Sequence, residues 1–170
     1  MPRRFSAALL FALAACSPTL DWRELHDEAS GLRMTFPCKP DRAEHRADFA
    51  GASRVLLAQG CEAGGLMFAV VQSDLGDAGR SEQALQDWNR ATLANIQAQP
   101  AQRSHFVPRG ALDLPASQRV RAQGRRADGS TIESQAVYFA RGTRVFQAVV
   151  YAKAMRPEAA DTFFTGLGFE

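Results

Sequence analysis

Three alternating stretches separated by two glycine turns constrain this chain more than any other feature. Between Arg119 and Ala152 it reads strand, turn, strand, turn, strand. Arg119, Arg121, Gln123 and Arg125 fall on one face of the first stretch, and Val120, Ala122 and Gly124 on the other. That is the period-two pattern of a strand. Ala127 to Ser130 (ADGS) is a hairpin turn, because Asp-Gly readily takes the positive φ such turns require. Thr131 to Ala140 is the next strand, Arg141-Gly142-Thr143 turns it, and Arg144 to Ala152 follows with Val145, Phe146, Val149, Val150 and Tyr151. The three strands predict an antiparallel meander.

The first half repeats the pattern. Asp21 to His26 is a short strand, and Asp27 to Gly31 has turn chemistry. Leu32, Met34 and Phe36 alternate with Arg33 and Thr35, until Pro37 and Pro40, which cannot serve a central ladder. Glu44 to Phe49 is polar and reads as an edge strand. Ser53 to Glu62 sets Val55, Leu57 and Cys61 on one face. Leu66 to Gln72 is apolar on both faces, which predicts a central strand covered on both sides.

Leu85, Trp88, Thr92 and Ile96 recur at spacings of three and four. They predict a helix over about 82–98 with Ser81 as its N-cap. Pro157 suits the first turn of a second helix over about 157–166, with Ala160, Phe163, Phe164 and Leu167 as its apolar stripe. The order predicts an α+β fold: one mainly antiparallel sheet with both helices packed on it. A chain of 170 residues suits a single domain, here 21–170.

Two stretches carry a resemblance. GLRMTFPCKP (31–40) resembles the opening strand of PsbP-like domains, with its G-x-x-x-x-F-P phrase, and RVFQAVVYAKA followed by PEAADTFFTGLGF resembles their close. The resemblance implies an α/β/α sandwich used as a binding module, including in small bacterial lipoproteins. It implies no catalytic residues.

The N-terminus reads differently from the rest. Arg3 and Arg4 are basic, Phe5 to Leu13 is apolar, and Ala14 and Ala15 are small. This is the layout of a secretion signal. The apolar run is too short to span a bilayer, which takes roughly 20 residues. A buried N-terminal helix is the alternative. Leu13-Ala14-Ala15-Cys16 resembles the bacterial lipobox, which implies cleavage before Cys16 and lipid on it. Residues 1–15 are then a signal peptide and 16–20 a short tether. In that family aspartate after the cysteine favours inner-membrane retention, so Ser17 points to the outer membrane, on its periplasmic side. The full chain holds 20 Lys and Arg against 18 Asp and Glu, and the signal removes Arg3 and Arg4 and no acid. The mature chain is therefore near neutral, with no global case for nucleic-acid binding.

Cys38 and Cys61 remain. An oxidising envelope makes such a pair a disulfide, and closing the loop contributes roughly 3 kcal/mol in the chain-entropy treatment. A metal or redox pair is the alternative, without a C-x-x-C motif or a histidine nearby in sequence to support it.

Little else carries chemistry. His26, His45 and His105 lie far apart and fit no metal-binding spacing. Strand alternation would put Glu24, His26 and Glu28 together, as a weak surface metal site or a solvated face. No G-x-S-x-G elbow or phosphate-cradling loop occurs, and Ser53 and Ser81 read as turn and cap. Arg119, Arg121, Arg125 and Arg126 form a candidate face for an anionic partner, since arginine forks suit phosphate and carboxylate. Its alternative is a sheet edge guarded by charge. The expectation is a lipid-anchored, non-enzymatic module that binds an unidentified envelope protein and uses no cofactor. A hydrolase with a His, a carboxylate and a Ser brought together from distant positions is the second reading. A carrier with an apolar cavity between sheet and helix is the third.

Overall fold

The alternating stretches become ten strands and two α-helices in a computed structural model, which describes residues 19–170. The strands are β1 (Arg23–Asp27), β2 (Leu32–Phe36), β3 (Asp41–Phe49), β4 (Ala52–Ala63), β5 (Leu66–Asp74), β6 (Gln99–His105), β7 (Gln118–Arg125), β8 (Thr131–Arg141), β9 (Arg144–Ala152) and β10 (Gly168–Phe169). The helices are α1 (Ser81–Asn95) and α2 (Pro157–Thr165). The class is α+β, as expected, but the strands form two sheets where one was predicted. Seven strands make the larger sheet, in the order β3-β4-β5-β9-β8-β7-β6, and β1-β2-β10 make the smaller. Every neighbouring pair is antiparallel.

The second sheet exists because of β10. α2 ends at Gly166, and the residues after it carry the chain back so that Phe169 pairs with Leu32. This gives β2 a partner on each side, and its Leu32, Met34 and Phe36 are fully buried.

The large sheet is sandwiched. On one face lie α2 and the small sheet, with Phe36 and Phe68 edge-on to Phe163 at the centre and Phe164 tilted beside it. On the other lies α1, with Leu85 against Tyr138, Val145 and Val149. Phe139 and Phe146 stack at 5.0 Å, and Phe169 closes on both. β5 is central in order but not covered on both sides: Leu66, Phe68 and Val70 are buried, while Met67, Ala69 and Val71 are half-buried. The reason is that α1 crosses β8 and β9 and leaves β5 beside it.

α1 departs from the predicted 82–98 at both ends. Ser81 is its first residue rather than its cap, with a buried side chain. A 3-10 turn, Ala78–Arg80, precedes it, and Asp77 caps that turn by accepting the Gly79 N–H at 2.9 Å. At the far end Gln97 takes a positive φ of 48°, and Ala98 N–H donates to the Leu93 carbonyl, which stops the helix. The released residues 99–105 become β6, an edge strand the pattern did not predict. Pro100 is tolerated there because one side of an edge has no ladder to supply. Gly124 lets the helix end lie on the sheet: a Cβ there would sit 2.1 Å from the Ile96 carbonyl oxygen. That oxygen accepts the Arg125 N–H at 2.6 Å.

Candidate functional site

The arginine row lies on β7, facing the α2 side of the large sheet. It is not a guarded edge, because β6 pairs outside it and takes the edge position. Register sets Arg119 opposite Val137, Arg121 opposite Gln135, Gln123 opposite Glu133 and Arg125 opposite Thr131. α2 covers this face only near Arg119. Beyond it the sheet presents an open polar shelf.

The four arginines have different environments. Arg119 is 12% exposed at its side chain, and its Nη2 donates to Asp161 of α2 at 2.7 Å. Its Nε and Nη2 also donate to Gln135 Oε1, and its guanidinium lies 4.8 Å from the centre of the Phe164 ring. Arg119 is therefore a rivet between sheet and helix. Arg121 donates through Nε to the same Gln135 oxygen at 3.3 Å and otherwise faces solvent. Arg125 reaches the Gly129 carbonyl at 3.4 Å, a long contact, and Arg126 is exposed in the β7–β8 turn. In that turn the Asp128 carboxyl is held below its usual range because it accepts the Ser130 hydroxyl and N–H.

Arg121 overhangs a groove of about 470 Å³, lined also by Gln102, Gln123, Glu133, Gln135 and Met155. Glu133 fixes the floor by accepting the Met155 N–H at 3.0 Å, which ties the β9–α2 loop to β8. Gln135 is buried and accepts from both neighbouring arginines, so it sets the guanidinium planes. The arrangement offers a cation and several amides to a ligand rich in acceptors. Sequence reasoning found Arg121 but missed the rest of the lining. The signal was there in Glu133 and Gln135, polar residues on a strand that otherwise turns Val137 and Phe139 toward the same core.

A second polar feature lies between the sheets. Gln72 Nε2 donates to Asp27 Oδ2 at 2.9 Å, and Ser30 donates to the same oxygen. Burial pushes the Asp27 carboxyl up, but the bonds from Ser30 and Gln72 outweigh it and hold the group below its usual range. Gln59 and Gln72 are both buried beside an open groove of about 310 Å³ that Arg42 and Glu44 also line.

Cys16, with Arg3, Arg4 and Ser17, lies outside the described residues. Cys38 and Cys61 form a disulfide with Cα atoms 6.1 Å apart, joining the segment after β2 to β4. His26, His45 and His105 are all exposed. His105 Nε2 sits 3.0 Å from Asp113 Oδ1, and both side chains are largely in solvent. Glu24 and His26 lie on β1, with Glu24 3.6 Å from Arg33, while Glu28 falls in the following turn. Among the described residues no three His, Cys, Asp or Glu side chains gather as metal ligands, and no helix is long and apolar enough to cross a membrane. Comparison of the chain with protein-family models and with curated proteins finds no match.

Proposed function

We propose that this chain is a lipid-anchored envelope protein whose sandwich, of PsbP-like type, acts as a non-enzymatic binding module for another envelope component. Cys16 carries the lipid, and Ser17 directs the protein to the outer membrane, facing the periplasm. The observation that carries the binding role is the contrast between Arg119 and Arg121. Arg119 is committed to Asp161 and Phe164, whereas Arg121, one step along the same face, keeps most of its donors free over a groove. A guanidinium oriented by a buried amide suits a carboxylate or phosphate on a partner. The hydrolase reading would have to rest on His105 and Asp113, which lie on open surface.

A photo-crosslinking residue at Gln123, in the full chain expressed in its envelope, tests this. The expected result is a discrete crosslinked partner that disappears in Arg121→Glu and persists in Arg109→Glu, a change far from the groove. Crosslinks unaffected by Arg121→Glu would refute the assignment of the groove.

A further inference from the structure

The point where the chain enters the fold sets which end of the sandwich faces a bilayer. Thr19 and Leu20 press against Gly64 at the tip of the β4–β5 hairpin. A Cβ there would lie 3.2 Å from Thr19 Cγ2 and 2.8 Å from the Arg156 guanidinium. Cys16 is three residues further out, a reach of about 11 Å at most. A lipid on Cys16 therefore holds this end of the large sheet at the membrane surface. The ladders identify what else emerges there. Leu66 lies opposite Ala152, Ala152 opposite Glu133, and Glu133 opposite Gln123. The β9–α2 loop and the β7–β8 turn thus come out beside the β4–β5 tip, and the Cys38–Cys61 bond brings the β2–β3 link to the same end.

Charge is sorted along this axis. The connecting segments at the anchor end carry Lys39, Arg126, Lys153 and Arg156, all exposed, against Asp21 and Asp128. Asp128 is turned into its own hairpin by Ser130. Arg23 and Arg125 at the strand ends offset Asp41 and Glu62, and Glu158 in the first turn of α2 reduces the positive excess without reversing it. The opposite end reverses the sign: its connecting segments carry Arg80 and Arg109 against Glu28, Asp77, Asp113 and Glu170. Lys39 and Lys153, the two lysines in the whole chain, both sit at the anchor end.

We propose that Lys39, Arg126, Lys153 and Arg156 form a collar that docks the domain on a surface of anionic lipid headgroups. The lipid supplies the hold and the collar supplies the orientation. A Lys or Arg within a Debye length of an anionic surface favours the docked state about fivefold, and the acidic end is repelled by the same surface. Docked this way, the Arg121 groove stands beside the membrane and the acidic end points away from it. This inference rests on the lipid-anchor reading above.

The two lysines make the test direct. The full lipidated chain is placed in phosphatidylcholine vesicles, with or without phosphatidylglycerol, and labelled with a membrane-impermeant amine reagent. Mass spectrometry reads each lysine, and Arg109→Lys adds a reporter at the far end without changing charge. The expected result is that phosphatidylglycerol slows labelling of Lys39 and Lys153 at least about fivefold relative to the reporter. High salt should abolish the slowing, and so should Arg126→Glu combined with Arg156→Glu. Equal labelling in both vesicles, with the mass of Cys16 showing lipid, overturns the docking and leaves the anchor standing. An unmodified Cys16 overturns the anchor, and the docking with it.

Discussion

Gly124→Ala tests how closely the end of α1 lies on β7. The added Cβ would meet the Ile96 carbonyl oxygen at 2.1 Å and the carbonyl carbon at 3.0 Å, both backbone atoms with no rotamer to yield. Helix end and strand must part, which also breaks the 2.6 Å bond from Arg125 N–H to that oxygen. Overpacking of this kind costs about 1–3 kcal/mol, and the lost hydrogen bond about 1 kcal/mol. The expected loss is about 2–4 kcal/mol. For a domain of this size each kcal/mol moves Tm by about 2–4 °C, so a fall near 8 °C is expected. Thermal unfolding followed by tryptophan fluorescence measures it, since Trp88 lies on α1 against Phe49. The sign itself is diagnostic. A Gly→Ala change without a clash stabilises by up to about 1 kcal/mol through the unfolded chain. A variant as stable as the parent, or more stable, would refute the close contact.

Three further outcomes follow from the structure. Replacing both Cys38 and Cys61 by serine opens a loop of sequence separation 23 and should cost roughly 3 kcal/mol; an unchanged urea midpoint would contradict it. Arg119→Ala should cost about 1–2 kcal/mol by losing Phe164 and the half-exposed Asp161, while Arg121→Ala should stay within about 0.5 kcal/mol; equal losses would dissolve the distinction between them. Burial raises the Tyr138 hydroxyl to about 12, so between that value and the ordinary value of 10.0 the unfolded chain sheds a proton that the folded chain keeps. Stability should then fall by about 1.4 kcal/mol per pH unit as pH rises through that window. Tyr138→Phe should flatten the slope to what Tyr151, also raised by burial, contributes, and a slope that survives in full would locate it elsewhere.

Period two marks the strands with one face in the core and the other outside it, whereas β8 and β9, buried on both faces, are marked by the turns that bound them. β2 shows the first pattern directly, alternating Leu32, Met34 and Phe36 with two half-buried residues. β6 could not be found this way. Its Gln-Pro-Ala-Gln-Arg-Ser-His carries no apolar alternation, and it is a strand because β7 offers an unfilled ladder beside it. β10 is two residues long and depends wholly on β2 being in place. Ser81 had the residue type of a cap, but the preceding 3-10 turn moved the start of the turn structure back to Asp77. The arginine row was visible as a row. What separates Arg119 from Arg121 is Asp161, which only the docking of α2 brings near. The collar was invisible for a related reason: Lys39, Arg126, Lys153 and Arg156 are scattered in sequence and meet only where connecting segments share one end of a sheet.

The long separation in sequence between β2 and β10 also governs when the smaller sheet can close. β2 precedes eight of the ten strands, yet its second partner and the Phe169 ring over Phe139 and Phe146 belong to the strand that follows all the others. Such distant pairing is slow to form. Until β10 pairs, the central cluster stays open and one side of β2 is unpaired. This also makes the C-terminus a sensitive place for truncation: removal of Gly168 to Glu170 would take away a whole strand and should leave a product handled by proteases as unfinished.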